Sequence, residues 1–561
     1  MTRRTWVAPA IVAPVLVALV ALAACVTSIG HDFTFDDRYV ILGNGRVHAL
    51  GNIWRLFGQS YWPPDLGSDG YRPLVMSLFT IQWAVGGGAP WIFHLFNILL
   101  AVAAAVAVYW CAVAILPRGA AAAAAALFAV HPVHVEVTGN VVGQSELLVA
   151  IFLCLAIGLY LRARREGPLR PRTTAAIIGL YIAGLCSKEH AIVLPLLLGA
   201  AEFTVLAAPG WKARVKELRT FGLLLALVSV AFLLVLTKIH GDVTGFVSYP
   251  AFQYLHMTAL DRAGTMALLL PRIARLFVFP TQLRGDYSPT DVALSQGFNA
   301  LQLPGIFICL ATLMLIAAFR RRDPVVSFGL LWLVIAFLPV SNLLVPTGFV
   351  IAERTFFFPS VGIVLVAGAI VARVQATAAP RPLWLMRGAV GLLLALGLIR
   401  SVDRQRVWKN NSVFFDALVK DAPDSYRGHF LRGRVLRIEG RLPEMEAEYR
   451  RAIALFPYDP KMMLAIAADY HNVGACTVAN AYLRWTFALE PKASDGRVAY
   501  VQCLAHERQW QEARTQALAG LRVVQHYDVR RLRVLLAQAD SALGHPRHLR
   551  QNASTGVVAI R

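Results

Sequence analysis

Charge is scarce in this sequence. Of 561 residues, only 16% are Asp, Glu, Lys or Arg, where soluble globular chains carry roughly a quarter. Cysteine is sparse too. The seven cysteines are scattered, five of them (Cys25, Cys111, Cys154, Cys186 and Cys309) in apolar segments. Without a C-x-x-C pair or a Cys/His cluster, the pattern predicts neither a disulfide framework nor a zinc site. H-E-x-x-H, a P-loop and G-x-S-x-G are missing as well, and no G-x-G-x-x-G stands in strand-to-helix context. The run Gly86-Gly87-Gly88 follows a helical pattern rather than a strand and reads as a turn.

What fills the chain instead is apolar: 57% of it is hydrophobic, much of it in runs such as 8–28, 91–116, 219–238 and 383–399. Such runs of about 17–25 residues match a hydrocarbon core roughly 30 Å thick. The net charge of +21 then reflects Lys and Arg gathered in cytoplasmic loops rather than a nucleic-acid surface. Leu22-Ala23-Ala24-Cys25 resembles a lipoprotein cleavage box, but the apolar run around it is longer than a signal core, so 8–28 is read as the first span.

Threading from an inside Thr2-Arg3-Arg4 predicts eleven spans: 8–28, 91–116, 120–130, 146–161, 173–187, 190–208, 219–238, 302–319, 325–343, 355–373 and 383–400. Each short loop assigned inside is basic, while the outside turns at 131–146 and 187–190 hold one Lys and no Arg. Hydrophobicity alone defines these spans, so the charge bias of the loops is an independent check. Two further apolar stretches, 71–86 and 264–283, read as helices at the outer interface.

After residue 401 the composition becomes amphipathic and charge-rich. Ala454-Leu455-Phe456-Pro457 and Ala488-Leu489-Glu490-Pro491 lie 34 residues apart, the period of tetratricopeptide (TPR) repeats. Tyr449, Ala452, Ala467, Tyr470 and Ala479 fall at packing positions, and a weaker copy covers about 495–528. The predicted organisation is a membrane domain over 1–400, a linker at 401–422, TPR repeats over 423–545 and a tail at 546–561. The fold class is all-α, a polytopic membrane protein followed by an α-solenoid whose concave surface suits extended peptide.

Polar groups at span ends are costly and therefore candidates for function. The outer face collects Phe33-Thr34-Phe35-Asp36-Asp37-Arg38, Tyr71-Arg72-Pro73-Leu74, His131-Pro132-Val133-His134-Val135-Glu136, Gly143-Gln144-Ser145-Glu146, Ser187-Lys188-Glu189-His190 and Ala352-Glu353-Arg354-Thr355. Paired carboxylates beside apolar walls suit a general base or a metal. Arg72, Lys188 and Arg354 can hold a phosphate. Taken singly each motif has a plainer reading: Asp36-Asp37 as a solvated cap, His134 as a hydrogen-bond partner, Lys188 and Glu189 as a self-neutralising pair.

The order of these motifs, with Phe93-His94-Leu95-Phe96-Asn97 and Glu353-Arg354-Thr355-Phe356-Phe357-Phe358 between them and repeats behind, resembles the transmembrane and TPR-containing (TMTC) family. That resemblance implies a GT-C type glycosyltransferase akin to protein O-mannosyltransferases. It further implies a polyprenyl-phosphate sugar, mannose first, as donor and an exported protein Ser/Thr hydroxyl as acceptor. Asp36 and Asp37 would be catalytic, with Asp36 the base. Arg72, Lys188 and Arg354 would bind the donor phosphate, and His131, Glu136 and Glu189 would orient substrate. A divalent metal is compatible with this chemistry but no ligand set supports one. Partners would be the lipid-linked donor, an exported acceptor held by the repeats, and the membrane, without nucleic acid. The bacterial inner membrane is favoured by the Arg and Ala richness, with the endoplasmic reticulum as the alternative. His190 after Ser-Lys-Glu and the short repeat array depart from the family pattern. A non-catalytic scaffold that recruits extracytoplasmic partners is the competing reading; it explains the repeats but not the gathered charges.

Overall fold

The computed structural model describes residues 8–63, 70–206, 210–240, 257–377, 380–524, 527–544, 550–551 and 558–559. The basic start at 2–4 and most of the 546–561 tail lie outside the described residues. Apart from a two-residue antiparallel pair at Arg550–Gln551 and Val558–Ala559 and an isolated bridge between Thr290 and Ser425, the regular structure of the described residues is helical, and the chain divides into two units, Met1–Ser425 and Tyr426–Arg561.

The first unit contains α1 (Ala8–Cys25), α2 (Pro73–Gly86), α3 (Pro90–Ala112), α4 (Arg118–Ala129), α5 (Gln144–Glu166), α6 (Pro171–Leu185), α7 (Leu194–Phe203), α8 (Trp211–His240), α9 (Ala259–Val278), α10 (Leu303–Arg322), α11 (Pro324–Phe337), α12 (Ser360–Ala376), α13 (Pro380–Gln405) and α14 (Asn411–Asp421). Proline opens α2, α3, α6 and α11, where its missing N–H costs nothing. Arg320, Arg321 and Arg322 end α10 against the negative pole of its dipole, and Asp323 then caps α11 by accepting the Val326 N–H. Helices α11 and α12 cross where Gly329 meets Gly362: a Cβ on Gly329 would lie 2.5 Å from the Gly362 carbonyl, so only glycine permits the approach.

Among the described residues, six helices are long and apolar enough to cross a membrane, namely Ile11–Gly30, Pro90–Ala112, Val141–Glu166, Arg214–His240, Ala300–Arg322 and Pro380–Trp408, or seven if Arg118–Ala129 and Pro132–Gly139, bent by 51°, count as one span. This is a multi-pass membrane protein. The predicted eleven spans are not all of spanning length. Five of them fall on α4, α6, α7, α11 and α12, which hold 12, 15, 10, 14 and 17 residues, short of the roughly 20 a bilayer needs. Hydrophobicity carries on through the 3₁₀ turn Glu189–Val193 and therefore does not mark where these helices break. The stretch 401–422, expected as a linker, completes α13 and forms α14; it is bonded to the rest of the first unit, where Ser401 Oγ donates to the Val130 carbonyl at 2.9 Å and Gln405 Nε2 to Thr138 Oγ1 at 2.7 Å.

In the second unit, α15 (Tyr426–Ile438), α16 (Leu442–Leu455), α17 (Pro460–Asn472), α18 (Cys476–Leu489), α19 (Arg497–His506), α20 (Trp510–Leu521) and α21 (Tyr527–Ala542) follow one another. Within three successive helix pairs the chain turns through a left-handed residue, at Gly440, Gly474 and Arg508, an interval of 34 residues each time. Tyr449, Ala452, Ala467 and Ala479 are buried, and the Tyr449 hydroxyl donates to Asp469 Oδ2 at 2.6 Å. One feature overturns an expectation: Cys476 and Cys503 form a disulfide that ties α18 to α19. Cysteines 27 positions apart carry no spacing signature, so only the packing of the two helices brings them together.

Candidate active site

The loop after α1 carries Asp36 and Asp37 in different surroundings. Asp37 is fully buried. Its carboxylate accepts the N–H groups of Thr34 at 3.2 Å, Val141 at 3.2 Å and Val142 at 2.8 Å. Burial pushes the Asp37 carboxyl up to about 7, against the downward pull of those three donors. Asp37 therefore braces the first loop against the turn that precedes α5. Asp36 is the half-buried member, with Oδ2 3.9 Å from Arg354 Nη1.

Arg354 leaves the 3₁₀ turn Glu353–Phe356 in front of α12. Glu136 accepts from Arg354 twice: Nη1 lies 2.6 Å from Oε1, and the backbone N–H lies 2.8 Å from Oε2. Glu136, expected to orient substrate, thus holds Arg354. Arg72 sits just before Pro73 of α2, its Nε 3.3 Å from Glu189 Oε2 and its guanidinium 4.4 Å above the buried Tyr61 ring. Glu189 also accepts the Tyr71 N–H at 2.7 Å. Gly70 has φ +71°, and a Cβ there would lie 3.2 Å from Glu189 Oε1, so the turn that delivers Arg72 requires glycine.

The structure corrects one pairing. Lys188 does not neutralise its neighbour Glu189; it bonds to Glu146, whose other oxygen lies 3.4 Å from His190 Nε2. Lys188 lies within electrostatic reach of both Arg72 and Arg354, and burial together with those two guanidiniums pulls its ammonium below the usual lysine pKa, against Glu146. The five sequence motifs that contribute Asp36, Arg72, Glu136, Lys188–Glu189 and Arg354 therefore converge, each cation set beside a carboxylate.

His131 lies elsewhere. Its Nδ1 accepts the Val133 N–H at 3.3 Å, so Nε2 is the protonated nitrogen and donates to the Phe277 carbonyl at 3.0 Å. The ring joins the start of the Pro132–His134 turn to the end of α9, a structural tie rather than a contact with the cluster. His134 Nε2 is hydrogen-bonded to Ser360 Oγ at 2.9 Å, and that hydroxyl also lies 2.7 Å from the Phe357 carbonyl. Sequence reasoning did not single out Glu353, which is buried beside Arg354 and accepts the Tyr287 hydroxyl at 2.6 Å and the Arg284 N–H. Burial pushes its carboxyl up to about 8, with Glu136 adding to the rise and Arg404 opposing it. Its place within the Glu-Arg-Thr motif was the available signal. No group of three or more His, Cys, Asp or Glu among the described residues is placed to hold a metal.

No family model matches the chain. The Archaeoglobus fulgidus oligosaccharyltransferase, solved with a tethered acceptor peptide, aligns with a TM-score of 0.41 and 15% identity over 72% of this chain and 56% of that one. Sequence relatives are nearer. Protein O-mannosyl-transferase TMTC4 of Homo sapiens is 30% identical over 488 residues, 77% of this chain and 65% of its own. TMTC3 of Mus musculus is 25% identical over 85% of this chain and 55% of its own, and TMTC1 of Homo sapiens 26% over 82% and 56%. The chain spans between about half and two thirds of the length of these relatives. These relatives are protein O-mannosyl-transferases of the TMTC family, and the chain is similar to them along about four fifths of its own length.

Proposed function

We propose that the protein is a membrane glycosyltransferase of GT-C type that moves a sugar, mannose first, from a polyprenyl-phosphate donor to a Ser/Thr hydroxyl of an exported protein. The observation that carries this is the Asp36–Arg354 pair, a half-buried carboxylate and guanidinium 3.9 Å apart with Arg72 and Lys188 in the same electrostatic neighbourhood. In this reading Asp36 takes the proton of the acceptor hydroxyl as its oxygen bonds to the anomeric carbon. The bond from that carbon to the phosphate oxygen breaks, and its electron pair leaves with the polyprenyl phosphate, inverting the carbon. Protonation of Asp36 removes the negative charge facing Arg354 just as charge grows on the departing phosphate. Arg354, Arg72 and Lys188 then stabilise that phosphate, while Glu136, Glu189 and Glu146 hold the three cations in place.

The site faces the exported side in this proposal, and two independent features support it: the basic loops assigned inside, and the Cys476–Cys503 disulfide, a bond that persists in oxidising compartments. The 34-residue interval of the left-handed turns supports reading the second unit as a short TPR array that holds an extended acceptor. Mass spectrometry of exported proteins from cells with and without the gene tests the function. Hexose on Ser/Thr that disappears with the gene supports it; an unchanged hexose inventory contradicts it.

A further inference from the structure

Phe35, the residue before Asp36, has φ +55°, the left-handed region that a bulky aromatic side chain rarely adopts. Such a backbone persists only where its surroundings over-determine it. Here the surroundings come from the far end of the first unit. The Phe35 N–H donates to Asn411 Oδ1 at 2.8 Å, a partner 376 positions away. The Asp32 N–H donates to the Lys409 carbonyl at 2.9 Å, and Thr34 Oγ1 donates to the Trp408 carbonyl at 3.1 Å. The Phe35 ring stacks on Phe414 with centroids 5.4 Å apart and meets Phe415 edge-on at 5.9 Å. Phe414 packs in turn on Trp408 at 4.4 Å, and all three of these aromatic partners are buried.

Asp36 thus stands between two anchors. Behind it, the segment 408–415 clamps residues 32–35; ahead of it, Asp37 is held by the N–H groups of Thr34, Val141 and Val142. Most polar ties of the clamp end on backbone carbonyls, which side-chain substitution leaves in place. Asn411 is the exception, and it bonds the strained residue itself.

We infer that Asn411 is a positioning residue for the transfer reaction: by accepting the Phe35 N–H it holds that backbone left-handed, and this sets the direction in which Asp36 projects toward Arg354. The inference rests on the reading of Asp36 as the base. It gives the first helical turn after the last apolar span a role in catalysis without any contact with substrate.

The test compares the full-length parent with Asn411→Ala, Phe35→Asn and the double variant, all in membranes. Asparagine enters the left-handed region more readily than phenylalanine, so the double variant depends less on the clamp. Asn411→Ala is expected to lower kcat by about tenfold or more with the donor KM near the parental value. The double variant is expected to lose less than the product of the two single losses. Amide hydrogen exchange provides a readout that needs no donor: peptides over 31–40 should exchange faster in Asn411→Ala, with the rest of the membrane unit unchanged. If the parent transfers no sugar, the proposed function fails and exchange alone decides the positioning claim. Parental exchange over 31–40 in Asn411→Ala overturns it, as does parental kcat, a loss confined to KM, or strictly multiplicative losses in the double variant.

Discussion

Lys188 reaches across 42 residues to Glu146 and leaves the adjacent Glu189 to Arg72, which approaches from 117 positions away at 3.3 Å. Two ion pairs thereby join three motifs, so the loop before α7 is fixed both to the start of α5 and to the start of α2. Side-chain exposures of 10% for Lys188 and 2% for Glu146 make this a buried pair, in which a lone survivor is costly.

Lys188→Met should accordingly strand the Glu146 carboxylate and destabilise the protein by about 3–5 kcal/mol. Adding Glu146→Gln should recover most of that loss, because two neutral side chains leave no unpaired charge. Thermal unfolding in detergent checks it; equal and additive losses from the two substitutions would show that the pair is not coupled.

Glu353 carries a pH dependence. Its folded pKa is raised from 4.5 to about 8, so over that window the unfolded chain gives up a proton that the folded chain keeps. The stability Glu353 contributes is present in full below the lower value and is lost as the pH rises toward the upper one. Glu353→Gln keeps an oxygen to accept the Tyr287 hydroxyl and removes the proton. The melting temperature of the variant should therefore fall less with rising pH across this range than that of the parent, and identical slopes would remove Glu353 as the source.

The Cys476–Cys503 bond makes a prediction about compartment. In denatured, unreduced protein taken from its native membrane, a thiol reagent should modify neither cysteine, and after reduction it should modify both. Labelling of both without reduction would mean that this unit does not face an oxidising side. Replacing the pair by alanine should cost about 2–4 kcal/mol of stability in the second unit.

Much of this was legible from local pattern, and what was not depends on distance along the chain. Apolar runs located the helices but not their breaks, since Ala191, Val193 and Leu194 look equally hydrophobic in a 3₁₀ turn and in a helix. The 34-residue repeat could be read from Pro457 and Pro491 because a repeat is a one-dimensional signal. Asp36 and Asp37 looked alike as neighbours; three backbone N–H donors separate them, and backbone geometry leaves no mark in side-chain identity. The stretch 401–422 looked like a linker because its polar residues are many. Its Asn411 and Phe414 are partners of Phe35, a relation that only tertiary packing displays.

In the proposed reaction Asp36 acts as the base of sugar transfer. The most direct measurement is transfer of mannose from polyprenyl-phosphate mannose to a Ser/Thr peptide by membranes containing the parent or Asp36→Asn, at matched expression and melting temperature. The parent is expected to transfer mannose and the variant to lose at least about a hundredfold of that rate. Transfer by Asp36→Asn at the parental rate would contradict Asp36 as the base.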